Sequence, residues 1–112
     1  MSSCLFCAIV AGEIPAKVVA ENDHFMAFAD IAPVAPVHVL AIPKTHYATA
    51  ADYVSNDFED FSNFMLFLTE IGESECPNGY RIVFNTSVDG GQTVPHVHGH
   101  VIGGRQLQWP PG

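Results

Sequence analysis

The chain has 112 residues, 48% hydrophobic and 14% charged, and its four Lys and Arg against twelve Asp and Glu leave a net charge of −8. That length makes a single domain, 1–112, able to bury roughly two thirds of the surface of its unfolded chain, and the apolar content argues against disorder. The charge disfavours a nucleic acid polymer as partner, while the short apolar runs and an N-terminus without signal-peptide character point to a cytoplasmic, alternatively nuclear, protein with no membrane partner.

Residues 4–12 form a short apolar segment that reads as one or two helical turns, stopped by Gly12. Segments 17–21 and 25–29 read as a hairpin around the turn-forming pair Asn22-Asp23. Residues 37–42 read as a buried central strand in which His38 is the one polar interruption, with Pro33, Pro36 and Pro43 punctuating its ends. From 56 to 73, Phe58, Phe61, Phe64, Met65, Leu68 and Ile71 recur at three and four, one face of an amphipathic helix for which Asn56 and Glu59 could supply a capping box. Residues 80–85 read as a further strand. The hairpin, the helix in the second half and the absence of repeats indicate an α+β fold with a mostly antiparallel sheet.

Histidines then stand at every second position in His96-Val97-His98-Gly99-His100. In extended backbone successive side chains alternate between faces, so the three imidazoles share one face and Val97, Gly99 and Val101 the other. Val94, Val101 and Ile102 favour a strand, Pro95 suits its start, and Gly103-Gly104 ends it. Three groups that titrate near neutrality can act as nucleophile, proton carrier or metal ligand. The loop just before them, residues 85–93, carries Gly90-Gly91 flanked by Asn85, Gln92 and Thr93. Paired glycines let backbone N–H groups approach an anion, and the polar side chains add hydrogen bonds to phosphate oxygens. Cys4-x-x-Cys7 is either half of a zinc site or a redox pair. Cys76 has no obvious partner, which argues against a disulfide framework.

The segment Gly91-Gln92-Thr93-Val94-Pro95-His96-Val97-His98-Gly99-His100-Val101-Ile102 resembles the signature of the histidine triad (HIT) family. Residues 13–17, 28–33 and 37–44 are similar to the family's N-terminal half, and the ending 103–112 is similar to its Hint branch, the histidine triad nucleotide-binding proteins. The resemblance implies a HIT fold of about five antiparallel strands with one long and one short helix, the sheet extended across a homodimer. It also implies a purine nucleoside phosphoramidase that cleaves the P–N bond of adenosine or guanosine 5′-phosphoramidates without a catalytic cofactor.

Carried over by position, His98 is the nucleophile, His100 contacts the phosphate, and His38 lies beneath the triad. Asp30 holds the ribose hydroxyls, and Ile14, Phe28 and Ile31 form the slot around the base. Asn85, Gly91, Gln92 and Thr93 contact the phosphate, and Trp109 reaches the neighbouring protomer's site. Some HIT proteins hold a structural zinc, and Cys4, Cys7, His46 and His96 occupy the matching positions, two Cys and two His for a closed tetrahedral site. Gly99, Pro95 and Thr93 depart from the branch, where a bulkier apolar residue, an aromatic and a serine are frequent. Dinucleoside polyphosphate hydrolysis, nucleotidyl transfer and a regulatory nucleotide-binding scaffold are the competing readings.

Overall fold

The computed structural model describes residues 4–112. In chain order these form α1 (Leu5–Val10), β1 (Val18–Glu21), β2 (Phe25–Ala29), β3 (Val37–Pro43), α2 (Ala50–Asn56), α3 (Phe58–Glu75), β4 (Tyr80–Val83) and β5 (Gly99–Gly103). The strands make one antiparallel sheet in the order β1-β2-β3-β5-β4, so the expected α+β class with a five-stranded antiparallel sheet is what the chain adopts.

Strand alternation divides the core between the two faces of the sheet. Phe25 and Ala27 of β2, Val39 and Ala41 of β3, and Val101 of β5 meet Phe64, Phe67, Leu68 and Ile71 of α3. Met26, Phe28 and Ile42 point the other way, against Phe6 of α1. β3 is covered on both faces and paired on both edges, which is why its sequence is almost uninterruptedly apolar. The hairpin closes on Asn22, whose Oδ1 accepts from the backbone N–H groups of His24 and Phe25 at 2.8 Å each.

Two readings need correction. The helix expected over 56–73 starts two residues later: Asp57, at φ −149°, ψ 77°, caps α3 by accepting from Asp60 N, so the Asn56–Glu59 capping box does not form. Asn56 instead ends α2, its amide donating to the carbonyl and carboxylate of Asp52. The described residues therefore hold three helices rather than one long and one short. The strand expected from Val94 is paired only from Gly99, opposite Ala41. Before that point Pro95 has no N–H to give, and Val97 N donates instead to Tyr47 O at 2.7 Å, outside the sheet.

Gly99 is a point of close approach between α3 and the sheet. A Cβ at that position would lie 2.9 Å from both δ-methyls of Leu68 and 3.3 Å from the Phe84 ring. The volume that a larger side chain would occupy is already filled from the helix.

Candidate active site

Alternation survives in the unpaired stretch before β5. Val97 and Val101 enter the α3 core, while the three histidines face α1. His96 is fully buried, and its Nε2 donates to Pro43 O at 2.8 Å, which leaves Nδ1 as the atom with a lone pair. His98 is turned the opposite way: its Nδ1 donates to His96 O at 2.8 Å, which leaves the Nε2 lone pair directed away from the backbone. Phe6 packs edge-on against both, with ring centroids 5.0 Å from His98 and 5.8 Å from His96, and also touches Phe28. Sequence reasoning passed over Phe6 in favour of the cysteines that flank it, although a large aromatic between two ligand candidates is itself a packing signal.

Burial disfavours the charged imidazolium, so all three triad histidines are held below the ordinary histidine range. His96 and His100 are pushed down to about 4, and His98 is lowered, partly offset by its bond to His96 O. The lowered pKa favours an unprotonated His98 imidazole with its Nε2 lone pair available. The ring of His100 lies 5.1 Å from that of His98 between centroids, and its Nε2 is buried with no hydrogen-bond partner among the described residues. Beneath it, His38 Nε2 lies 2.9 Å from His100 Nδ1 and 3.3 Å from Asp30 Oδ2.

The glycine loop is shaped by backbone demands that its sequence meets. Ser87 and Gly91 have positive φ, and a Cβ on Gly90 would come within 2.3 Å of Thr86 O. Gln92 closes it: Ser87 N donates to Gln92 Oε1 at 3.0 Å, and Gln92 Nε2 donates to Ala48 O at 2.7 Å and Val94 O at 3.0 Å. Its own N–H goes to Ser87 O. The Gln92 amide thus serves the loop, fixing it to the segment that also bonds Val97. Asn85 is half-buried and Thr93 exposed.

Of the expected base slot, Phe28 lies in the core while Ile14 and Ile31 are exposed, Ile31 completely. Trp109 is 80% exposed at the end of a tail that Arg81 holds through Gln108 O. Cavities of about 550 Å³ beside Asn22, Asp57 and Glu70 and about 450 Å³ beside Cys76, Arg81 and Arg105 are lined by none of the triad histidines.

Cys4, Cys7, His46 and His96 converge from three separate segments. Cys4 Sγ and Cys7 Sγ lie 3.4 and 3.5 Å from His96 Nδ1, Cys7 Sγ 3.4 Å from His46 Nδ1, and the two imidazole Nδ1 atoms 3.1 Å apart. A tetrahedron with zinc–sulfur bonds of about 2.3 Å and zinc–nitrogen bonds of about 2.0 Å has S–N edges of about 3.5 Å and an N–N edge of about 3.3 Å. The donors fit that ion, and the Pro43 bond to His96 Nε2 already presents the correct nitrogen.

The HIT domain family model matches residues 11–107. The chain belongs to the HIT family. It is 44% identical over 109 residues to an uncharacterised HIT-like protein of Synechococcus elongatus, covering 96% of each, and 40% identical to the adenylylsulfatase HINT1 of Arabidopsis thaliana, covering 99% of this chain and 78% of that protein. Among solved structures, a HIT family hydrolase from Legionella pneumophila superimposes with a TM-score of 0.93 at 48% identity over 98% of this chain and all of that one. The HINT1 match, running the length of this chain, places it in the Hint branch.

Proposed function

We propose that this HIT protein hydrolyses purine nucleoside 5′-phosphoramidates through a nucleotidyl-histidine intermediate. One observation carries the reading: His98 Nδ1 is bound to a backbone carbonyl, so the Nε2 lone pair is presented for attack beside the unpartnered Nε2 of His100. His98 Nε2 attacks the α-phosphorus, the P–N bond breaks, and the nitrogen leaves as an amine after taking up a proton from solvent. Water then attacks the same phosphorus, the bond from phosphorus to His98 Nε2 breaks, and nucleoside monophosphate and the free imidazole are released, one difficult displacement having become two easier ones. His100 donates to a phosphoryl oxygen as charge develops there. Asp30 holds the ribose hydroxyls, Ile14, Phe28 and Ile31 flank the base, and Asn85, Gly91 and Thr93 meet the phosphate in a loop that Gln92 fixes in place.

Zinc bound by Cys4, Cys7, His46 and His96 would be structural, all four positions being filled by protein. A homodimer with a continuous sheet would cover an exposed strand edge, β4 being the edge next to β5, and would bring the exposed Trp109 to the neighbouring site. Among the described residues no helix is long and apolar enough to cross a membrane.

The Arabidopsis relative's name favours a second reading in which sulfate is the leaving group and the same adenylyl-histidine forms. Steady-state kcat/KM for adenosine phosphoramidates, adenosine 5′-phosphosulfate and diadenosine polyphosphates separates these. Preference for the P–N substrates is expected, and preference for the phosphosulfate would replace the proposal with the second reading. Light scattering at twice the monomer mass is the expected result for the dimer.

A further inference from the structure

We infer that Asp30, His38 and His100 form one hydrogen-bonded chain through which occupancy of the ribose end of the site sets the donor facing the phosphoryl group. The inference rests on the phosphoramidase reading above and concerns how its two subsites communicate.

The direction of each bond follows from one backbone contact. Val34 N donates to His38 Nδ1 at 3.2 Å, so that nitrogen carries no proton and the proton of His38 is on Nε2. This single N–H faces two acceptors, His100 Nδ1 at 2.9 Å and Asp30 Oδ2 at 3.3 Å. Because His100 Nδ1 receives that proton, His100 carries its own on Nε2, the atom left buried and unpartnered. A buried donor without an acceptor costs about 1–3 kcal/mol. The fold keeps this one, and a phosphoryl oxygen supplies what it lacks.

Asp30 is held so that only one of its oxygens is shared. Oδ1 accepts from Ala32 N at 2.8 Å, and the backbone N–H of Asp30 donates to His38 O at 3.0 Å. Oδ2 is left to His38 and to any incoming hydroxyl. A ribose hydroxyl that donates to Asp30 weakens its pull on the His38 N–H, which then goes wholly to His100 Nδ1 and strengthens the Nε2–H tautomer. His38 is therefore a positioning residue: it touches no reacting atom and acts through His100. Asp30 acts both on the ribose and, through His38, on the phosphate site. Ribose recognition then appears in kcat as well as in KM.

The test uses the intact protein, with ¹⁵N spectra of the histidine side chains as a readout independent of turnover. His100 should appear in the Nε2–H form in the wild type, shift to mixed tautomers in His38→Ala, and be restored in His38→Gln, whose amide can still donate upward. His38→Ala should lower kcat on the order of tenfold to a hundredfold with KM nearly unchanged. In the wild type, an adenosine phosphoramidate should exceed its 2′,3′-dideoxy analogue in kcat and not only in KM. In His38→Ala the kcat difference should vanish while the KM difference remains. An unaltered His100 tautomer in both His38 variants, or equal wild-type kcat for the two sugars, overturns the inference. A wild type that turns over no phosphoramidate sinks the activity reading instead, and the tautomer spectra with adenosine monophosphate and its dideoxy analogue still decide the chain.

Discussion

In the proposed reaction His98 makes the bond to phosphorus, and its surroundings favour the unprotonated ring that this requires. Burial lowers its pKa and the His96 carbonyl holds Nδ1–H, which favours an available Nε2 lone pair. His98→Ala removes the bond-forming atom and leaves the contacts to the nucleoside intact. It should lower kcat on the order of a thousandfold, about 4 kcal/mol of transition-state stabilisation, while calorimetry still detects nucleoside monophosphate binding. Wild-type enzyme quenched in turnover should carry a nucleotidyl group on His98 by mass spectrometry. Near-wild-type turnover by the variant would rule out the covalent route. The alternation of His96, His98 and His100 was legible in the sequence because period two is a property of extended backbone. Which nitrogen each ring offers was not, because that depends on Pro43 O, His96 O and His38, and two of those lie far away in the chain.

Among the elements, the glycine loop and the α3–β5 contact make separable predictions. Gln92 spans from Ser87 to Ala48, and Gln92→Ala removes three hydrogen bonds whose backbone partners sit near solvent. With a net loss of about 1.4 kcal/mol in loop placement, KM for nucleotide should rise about tenfold, and the melting temperature should change little. A large fall in melting temperature with KM unchanged would make Gln92 a fold residue instead. Gly99→Val drives methyl groups into Leu68 and should destabilise by about 1–3 kcal/mol in urea titrations. Leu68→Ala should recover part of that loss in the double variant, and simple additivity would mean that the two sites do not meet. The amphipathic part of α3 was readable from its three-and-four spacing. α2 escaped because Tyr53 is its one buried residue, although Thr49 three places before Asp52 is a capping signal, and Thr49 Oγ1 does accept from Asp52 N.

Across the whole molecule, the cysteine–histidine cluster ties α1 to positions 46 and 96 and closes a loop of more than ninety residues. Metal analysis should find about one zinc per chain, and Cys4→Ser should lower the melting temperature before it alters kcat. Protein purified without chelator yet free of zinc would remove the metal from the account. The buried histidines also set a pH dependence. Burial holds His98 and His100 below the 6.5 of an unfolded histidine, His100 at about 4, so between those values the unfolded chain binds more protons. Stability is therefore full above about pH 6.5 and declines as pH falls toward 4. Denaturant titrations at pH 7.0, 6.0 and 5.0 should show the unfolding free energy falling stepwise, and a flat profile across that range would mean that these rings are not held neutral.

By itself the sequence determined the α+β class, the hairpin, the central strand and the shared face of the three histidines, because each follows from local spacing and turn chemistry. It also supplied the residues of the proposed zinc site and of the nucleotide loop, through their similarity to the HIT family. Only the tertiary structure decided that Cys4, Cys7, His46 and His96 converge to within bonding distance of one ion, that Phe6 wedges against two triad rings, and that Gln92 serves its own loop. The same holds for the path from Asp30 through His38 to His100, which joins residues as much as seventy positions apart. Such contacts depend on how β3 and β5 pair and on which carbonyls remain free to accept, and neither property belongs to any short stretch of chain.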